Sequence, residues 1–216
     1  MDELTYPLLA VSRHRMSVDG TGVTTLVAGA GCPLSCRWCI NQQILHGGKS
    51  KAVTARELYE RVKCDDLYFR ATGGGVTFGG GEALLHVPFF AEFRKLCPEW
   101  HLCAETSLAV PREAVKQAAE CIDEFIVDCK DMDEDIYHRY TGGDGALMRG
   151  NLEFLLSAVG PERVTVRVPL IPEFNTKEDQ ARSAEQLRAL GAEQLDLFEY
   201  VIREEMQEES RPKKAD

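Results

Sequence analysis

The sequence predicts an α/β fold on a parallel sheet, and three observations carry that expectation. Short runs of β-branched and aromatic residues alternate with longer amphipathic stretches, the pattern that strand-helix-strand units leave in a chain. Helix-start and helix-stop residues mark the junctions between them. The length, 216 residues, suits one domain with a sizeable core. Six strand-helix units can be traced, too few to close a barrel of eight.

The first predicted strand is Val23 to Ala28, followed directly by a cysteine-bearing loop. Thr54-Ala55-Arg56-Glu57 then reads as a capping box, with Thr and Glu satisfying the exposed amides of a first helix. A second strand near Val76 to Phe78 leads to a helix starting at Pro88, whose Phe89, Phe90, Phe93 and Leu96 recur at helical spacing. A third strand, His101 to Glu105, precedes a helix opened by Pro111, and a fourth spans Glu124 to Cys129. A short helix at Ile136 to Tyr140 and a longer one at Asn151 to Val159 follow. The fifth strand, Val164 to Val168, alternates valine with threonine and arginine, as a strand with two different faces does. Its helix is capped by Asn175 or Thr176 and ends before Gly191; Leu195 to Tyr200 is the sixth strand.

The chemistry concentrates in two segments. Cys32, Cys36 and Cys39 form a CxxxCxxC run in GCPLSCRWCIN. Three thiolates suit an iron-sulfur cluster with one iron left open, since ordinary [4Fe-4S] clusters use four. Tetrahedral zinc is the competing reading of the cysteines alone, with His46 a few residues downstream. The second segment is Thr72-Gly73-Gly74-Gly75-Val76-Thr77-Phe78-Gly79-Gly80-Gly81-Glu82. Glycines there let the backbone approach a ligand closely, and the carboxylate can hold an ammonium group.

Together these segments resemble the radical S-adenosylmethionine (SAM) superfamily, and within it the activating enzymes of glycyl radical enzymes. The resemblance runs over most of the chain. Asp19-Gly20-Thr21-Gly22 is similar to that family's DGPG, and His46-Gly47-Gly48-Lys49 with Val53-Thr54 to its HGGK…VT. Ala104-Glu105-Thr106-Ser107, Val127-Asp128-Cys129-Lys130 and Arg167-Val168-Pro169 resemble an acidic strand end, a DLK segment and an RYVVVPG-like strand end. The departures are Thr24, Ala28, Ile40 and Val201, and Glu105 stands where the family usually has aspartate.

The resemblance implies the partial (β/α)6 barrel of that superfamily, open on one side. It implies a [4Fe-4S] cluster on Cys32, Cys36 and Cys39, with SAM on the open iron and its amino group held at Gly80-Gly81-Glu82. Trp38, Asn41, Glu105, Asp128, Lys130 and Arg167 are then the further SAM-site candidates. On the predicted tracing all the strand-borne members sit at strand carboxyl ends, where parallel α/β folds gather ligands. Reductive cleavage of SAM would give methionine and a 5'-deoxyadenosyl radical. The implied partners are a glycyl radical enzyme as protein substrate and a flavodoxin or ferredoxin-type electron donor. A radical SAM enzyme acting on a peptide or small metabolite is the alternative that the departures favour, and a non-catalytic zinc-binding interaction module is the third.

Composition bounds the rest. The formal net charge of -10 argues against nucleic-acid binding, which asks for a basic face. No segment reads as a signal peptide or a membrane span, so a cytoplasmic protein is expected. The eight cysteines then read as reduced thiols, with Cys64, Cys97, Cys103, Cys121 and Cys129 lacking the repeated spacing of a second cluster. Gly48-Lys49-Ser50 echoes a P-loop but has Gln43 where that motif needs glycine. His14, His86, His101 and His138 are assigned no ligand role. Residues 1–202 are expected to form the domain, and 203–216, rich in glutamate and lysine, a polar tail.

Overall fold

Strands form where β-branched and aromatic residues recur, and each presents an apolar face to the helices and a more polar face to the opposite side. In Val164–Leu170, Val164, Val166 and Val168 are buried while Thr165 and Arg167 on the other face are only partly so. The computed structural model describes residues 4–16, 18–42 and 49–202. Its strands are β1 (Thr5–Met16), β2 (Val23–Gly29), β3 (Lys51–Thr54), β4 (Gly75–Gly80), β5 (His101–Thr106), β6 (Glu124–Asp128), β7 (Val164–Leu170) and β8 (Gln194–Glu199). They make one sheet in the order β3-β1-β2-β4-β5-β6-β7-β8. Every pairing from β2 to β8 is parallel.

These six parallel strands match the six predicted units. The structure corrects the start of the tracing, because β2 is not the first strand: β1 pairs antiparallel with β2, and β3 antiparallel with β1. Pro7 in β1 lacks an amide to donate, which suits a strand near the sheet edge. Lys51–Thr54 is only four residues long and runs straight into the helix cap at Thr54.

The helices are α1 (Ala55–Val62), α2 (Asp66–Thr72), α3 (Val87–Leu96), α4 (Arg112–Cys121), α5 (Glu134–Thr141), α6 (Gly145–Val159) and α7 (Lys177–Ala189). The Thr54–Glu57 capping box of α1 is formed in both directions. Thr176 caps α7 with Asp179, while Asn175 instead bonds Asp131, the Ile171 amide and the Pro169 carbonyl. Helix α2 was absent from the predicted tracing; Gly73, at φ +69°, ends it in the left-handed conformation.

The core lies between sheet and helices. Phe78 of β4 stacks on Phe90 of α3 at 4.1 Å, and Phe93 closes edge-on against Phe78. The opposite face of the sheet is lined by polar side chains. The sheet curls around that face far enough for Arg15 of β1 and Asp196 and Phe198 of β8 to line one cleft. Among the described residues no helix is long and apolar enough to cross a membrane.

Candidate functional site

The cysteine loop leaves the carboxyl end of β2 and is tied down from three directions. The Ser35 and Arg37 amides donate to the carbonyls of Thr141 and Tyr140 at 2.8 and 3.0 Å, bracketing Cys36 against the end of α5. Trp38, 3% exposed, packs with Tyr140 and Ile171 and donates from its indole to the Pro172 carbonyl at 3.3 Å. The Tyr200 hydroxyl donates back to the Trp38 carbonyl at 2.7 Å, and the Asn41 amide to the Gly80 carbonyl at 2.8 Å. Asn41 therefore joins the cysteine loop to the glycine segment.

Close approach explains the glycines. A Cβ on Gly81 would lie 2.1 Å from the Gly31 carbonyl oxygen, and Gly80 has φ +92°. Only glycine accommodates both demands. The Gly81 and Glu82 amides bond the Gly29 and Gly31 carbonyls at 3.0 and 2.9 Å, laying the segment across the base of the cysteine loop.

Cys32, Cys36, Cys39, Gly80, Gly81 and Glu82 line one cavity of about 520 Å³, including solvent at its mouth. Glu105, Asp128 and Lys130 complete the wall together with Leu34, Thr106 and Ser107. Trp38 and Asn41 support the cavity without lining it, and Arg167 lines the adjoining cleft. Arg167 bonds Glu105 at 2.9 Å, stands 4.0 Å from Asp128 and donates to the Val18 carbonyl.

Glu82 is 2% exposed and its carboxylate is fully engaged. One oxygen accepts from the Leu84 amide at 3.1 Å and the Thr106 hydroxyl at 2.5 Å. The other accepts from the Ser107 amide at 2.8 Å and its hydroxyl at 2.6 Å. Thr106 and Ser107 had no assigned role in the sequence; the Glu-Thr-Ser end of β5 was the available signal. The two amide donors are fixed, whereas the two hydroxyls rotate, so an incoming ammonium group can take a hydroxyl's place.

Lys130 sits at φ +63°, a conformation that costs a non-glycine residue about 1–3 kcal/mol and clusters at functional sites. Its ammonium is 3.0 Å from Asp128. Burial disfavours that charge, but Asp128 and Cys36 outweigh burial and hold its pKa well above the ordinary lysine value. The loop that follows is fixed by buried Asp131, which accepts from Asn175 and Ser183. Burial raises the Glu105 carboxyl, and Arg167 offsets this only partly. For Arg167 itself, burial is outweighed by Glu105 and Asp128, and the guanidinium pKa is raised.

The donor set fits a cluster. Burial pushes the thiols of Cys32 and Cys36 up, Cys36 to about 11 with Lys130 opposing, so metal binding must release protons there. A four-iron cluster places one thiolate on each of three irons, which asks for three separated thiols around a shared space. His46, the zinc candidate, lies outside the described residues, as do Gly47 and Gly48.

The other cysteines are free, Cys97, Cys103, Cys121 and Cys129 being buried and Cys64 exposed. His14, His86, His101 and His138 are bonded to Asp65, Ala30, Glu124 and Gly143.

The radical SAM superfamily model matches residues 26–183. The pyruvate formate-lyase-activating enzyme of Clostridium pasteurianum is 32% identical over 169 residues, covering 76% of this chain and 69% of that enzyme. A solved domain of pyruvate-formate lyase-activating enzyme from Bacteroides vulgatus has a TM-score of 0.52 at 28% identity, covering 63% of this chain and 89% of that one. Streptococcus suis SuiB bound to S-adenosylmethionine shares the fold alone, with a TM-score of 0.60 at 14% identity. That match covers 80% of this chain, which spans 39% of SuiB. The chain belongs to the radical SAM superfamily and is a radical SAM enzyme of the activating-enzyme type.

Proposed function

We propose that Cys32, Cys36 and Cys39 hold a [4Fe-4S] cluster beside a SAM site, and that the enzyme installs a glycyl radical on a partner protein. The observation that carries this reading is the meeting of the three thiols with Gly80, Gly81, Glu82, Asp128 and Lys130 around one cavity. When bound, the cluster and SAM supply reductive carbon-sulfur cleavage and hydrogen-atom abstraction.

This chain's residues orient and shield. Glu82 takes the amino group of SAM in exchange for a hydroxyl donor. Lys130, anchored by Asp128, presents a cation to an anionic group in the cavity. Asn41, Trp38 and Tyr200 keep the cysteine loop over the glycine segment, while Arg167 fixes Glu105 and faces the neighbouring cleft.

Access supports a large substrate. Asp128 and Lys130 line both the cavity and a cleft of about 910 Å³, again counting solvent at its mouth, between β1 and β8. A loop of a partner protein can reach the cavity sideways through it. A flavodoxin or ferredoxin-type protein supplies the electron, and a cytoplasmic location follows from such partners.

The test is anaerobic incubation of the reconstituted, reduced enzyme and SAM with candidate glycyl radical proteins, followed by electron paramagnetic resonance. A glycyl radical signal is expected. SAM cleavage with no radical on any such protein, and with modification of a peptide or metabolite instead, would replace this reading with the alternative. A colourless, zinc-loaded protein would remove both.

A further inference from the structure

Tyr137 of α5 is wholly buried, yet its hydroxyl has no hydrogen-bond partner among the described residues. Buried hydroxyls are nearly always paired, and an orphan asks for an explanation. Helix α5 is the element that brackets Cys36 through the Tyr140 and Thr141 carbonyls, and Tyr137 stands one turn earlier. A Cβ on Gly143 would touch both the Tyr137 ring and Leu34 of the cysteine loop, so this ring packs close to that loop.

Because the Ser35 and Arg37 amides bond the Thr141 and Tyr140 carbonyls, the loop that packs on this helix is the one that carries Cys36. Burial raises the Tyr137 hydroxyl's pKa, Cys36, Cys129 and Glu82 add to this and Lys130 opposes it; all of these but Cys129 line the cavity. Their chemistry selects among them. Lys130 has donors only. Glu82 already accepts four hydrogen bonds. Cys129 does not line the cavity, and burial keeps it a neutral thiol, a weak acceptor. The sulfur at Cys36 is left as the acceptor, and a metal-bound thiolate accepts far better than a neutral thiol.

We propose that Tyr137 donates a hydrogen bond to sulfur at the Cys36 corner of the cluster and thereby raises its reduction potential. The proposal rests on the reading of the three cysteines as cluster ligands. A donor at sulfur stabilises the reduced, more negative state more than the oxidised one. The Tyr137 hydroxyl, one of three buried side-chain oxygens without a partner among the described residues, is then a partner held ready for the cofactor.

The test compares full-length wild type with Tyr137→Phe. After anaerobic reconstitution the variant should keep its iron and its absorption near 400 nm, while a redox titration moves its midpoint potential to more negative values. Electron-nuclear double resonance of the reduced wild type should show an exchangeable proton, lost in deuterated water and absent from the variant. Metal-free Tyr137→Phe should unfold at the same temperature as metal-free wild type or higher, because no protein partner is lost. An unchanged potential, no such proton in wild type, or a destabilised metal-free variant would each overturn the proposal. Should the variant fail to retain iron, the wild-type proton signal decides between support and rejection. A wild type that binds no four-iron cluster would instead overturn the cluster reading itself.

Discussion

At the residue scale the three motif cysteines differ from the other five in what surrounds them. Cys32, Cys36 and Cys39 line a cavity, whereas Cys64 is exposed and donates weakly to the Arg61 carbonyl. Replacing any motif cysteine by alanine should abolish the absorption near 400 nm and lower the iron content, while Cys64→Ala should change neither. A triple motif variant that still held about four irons per chain would refute the assignment. The Glu82 carboxylate joins the ends of β4 and β5 and also lines the cavity. Glu82→Ala should weaken SAM binding in calorimetry with the cluster spectrum intact. It should also destabilise the metal-free protein by roughly 1–3 kcal/mol in a urea titration, since the buried Ser107 amide and Thr106 hydroxyl lose their acceptor. Unchanged SAM affinity would leave Glu82 a structural role alone.

At the element scale the antiparallel edge depends on Asp65, a buried carboxylate between α1 and α2. It accepts from the Arg13 guanidinium at 2.8 and 3.0 Å, from His14 at 2.9 Å and from the Thr25 hydroxyl at 2.9 Å, joining β1 and β2 to the helical layer. Burial alone would raise its pKa, but Arg13 and Thr25 outweigh burial and hold it below the ordinary 3.8. A depressed carboxylate stabilises the fold fully above its unfolded value, and this is lost as pH falls through the folded value. The urea midpoint of wild type should therefore fall more steeply below about pH 4 than that of Asp65→Asn. Equal slopes would show that Asp65 does not titrate as its contacts require. Strand β1 escaped the sequence reading because Pro7 and the exposed Arg13 and His14 break its apolar pattern, and β3 because its last residue is also a helix cap.

At the scale of the whole molecule, the curl of the sheet decides access. Pairing runs from β3 to β8 without closing, and the cleft between β1 and β8 is the resulting side entrance. If residues 203–216 do not cover that entrance, truncation after Ile202 should leave SAM cleavage without a partner protein largely unchanged. Their composition, with four glutamates and two lysines, disfavours an apolar lid. A large loss of cleavage on truncation would favour an enclosed small-molecule site over a protein substrate.

Several features were determined locally and so were legible in the chain itself. The CxxxCxxC spacing, the Thr54–Glu57 cap and the two-faced strand at Val164 each depend on residues a few positions apart, where local geometry dictates the pattern. What depended on distant segments was decided only by the tertiary structure. Thr106 and Ser107 meet Glu82 from 24 and 25 residues away, and Tyr200 reaches the Trp38 carbonyl across 162. The orphan hydroxyl of Tyr137 is the same kind of fact. In sequence that residue is one more aromatic on an amphipathic helix, and only the tertiary structure leaves its hydroxyl buried without a partner among the described residues.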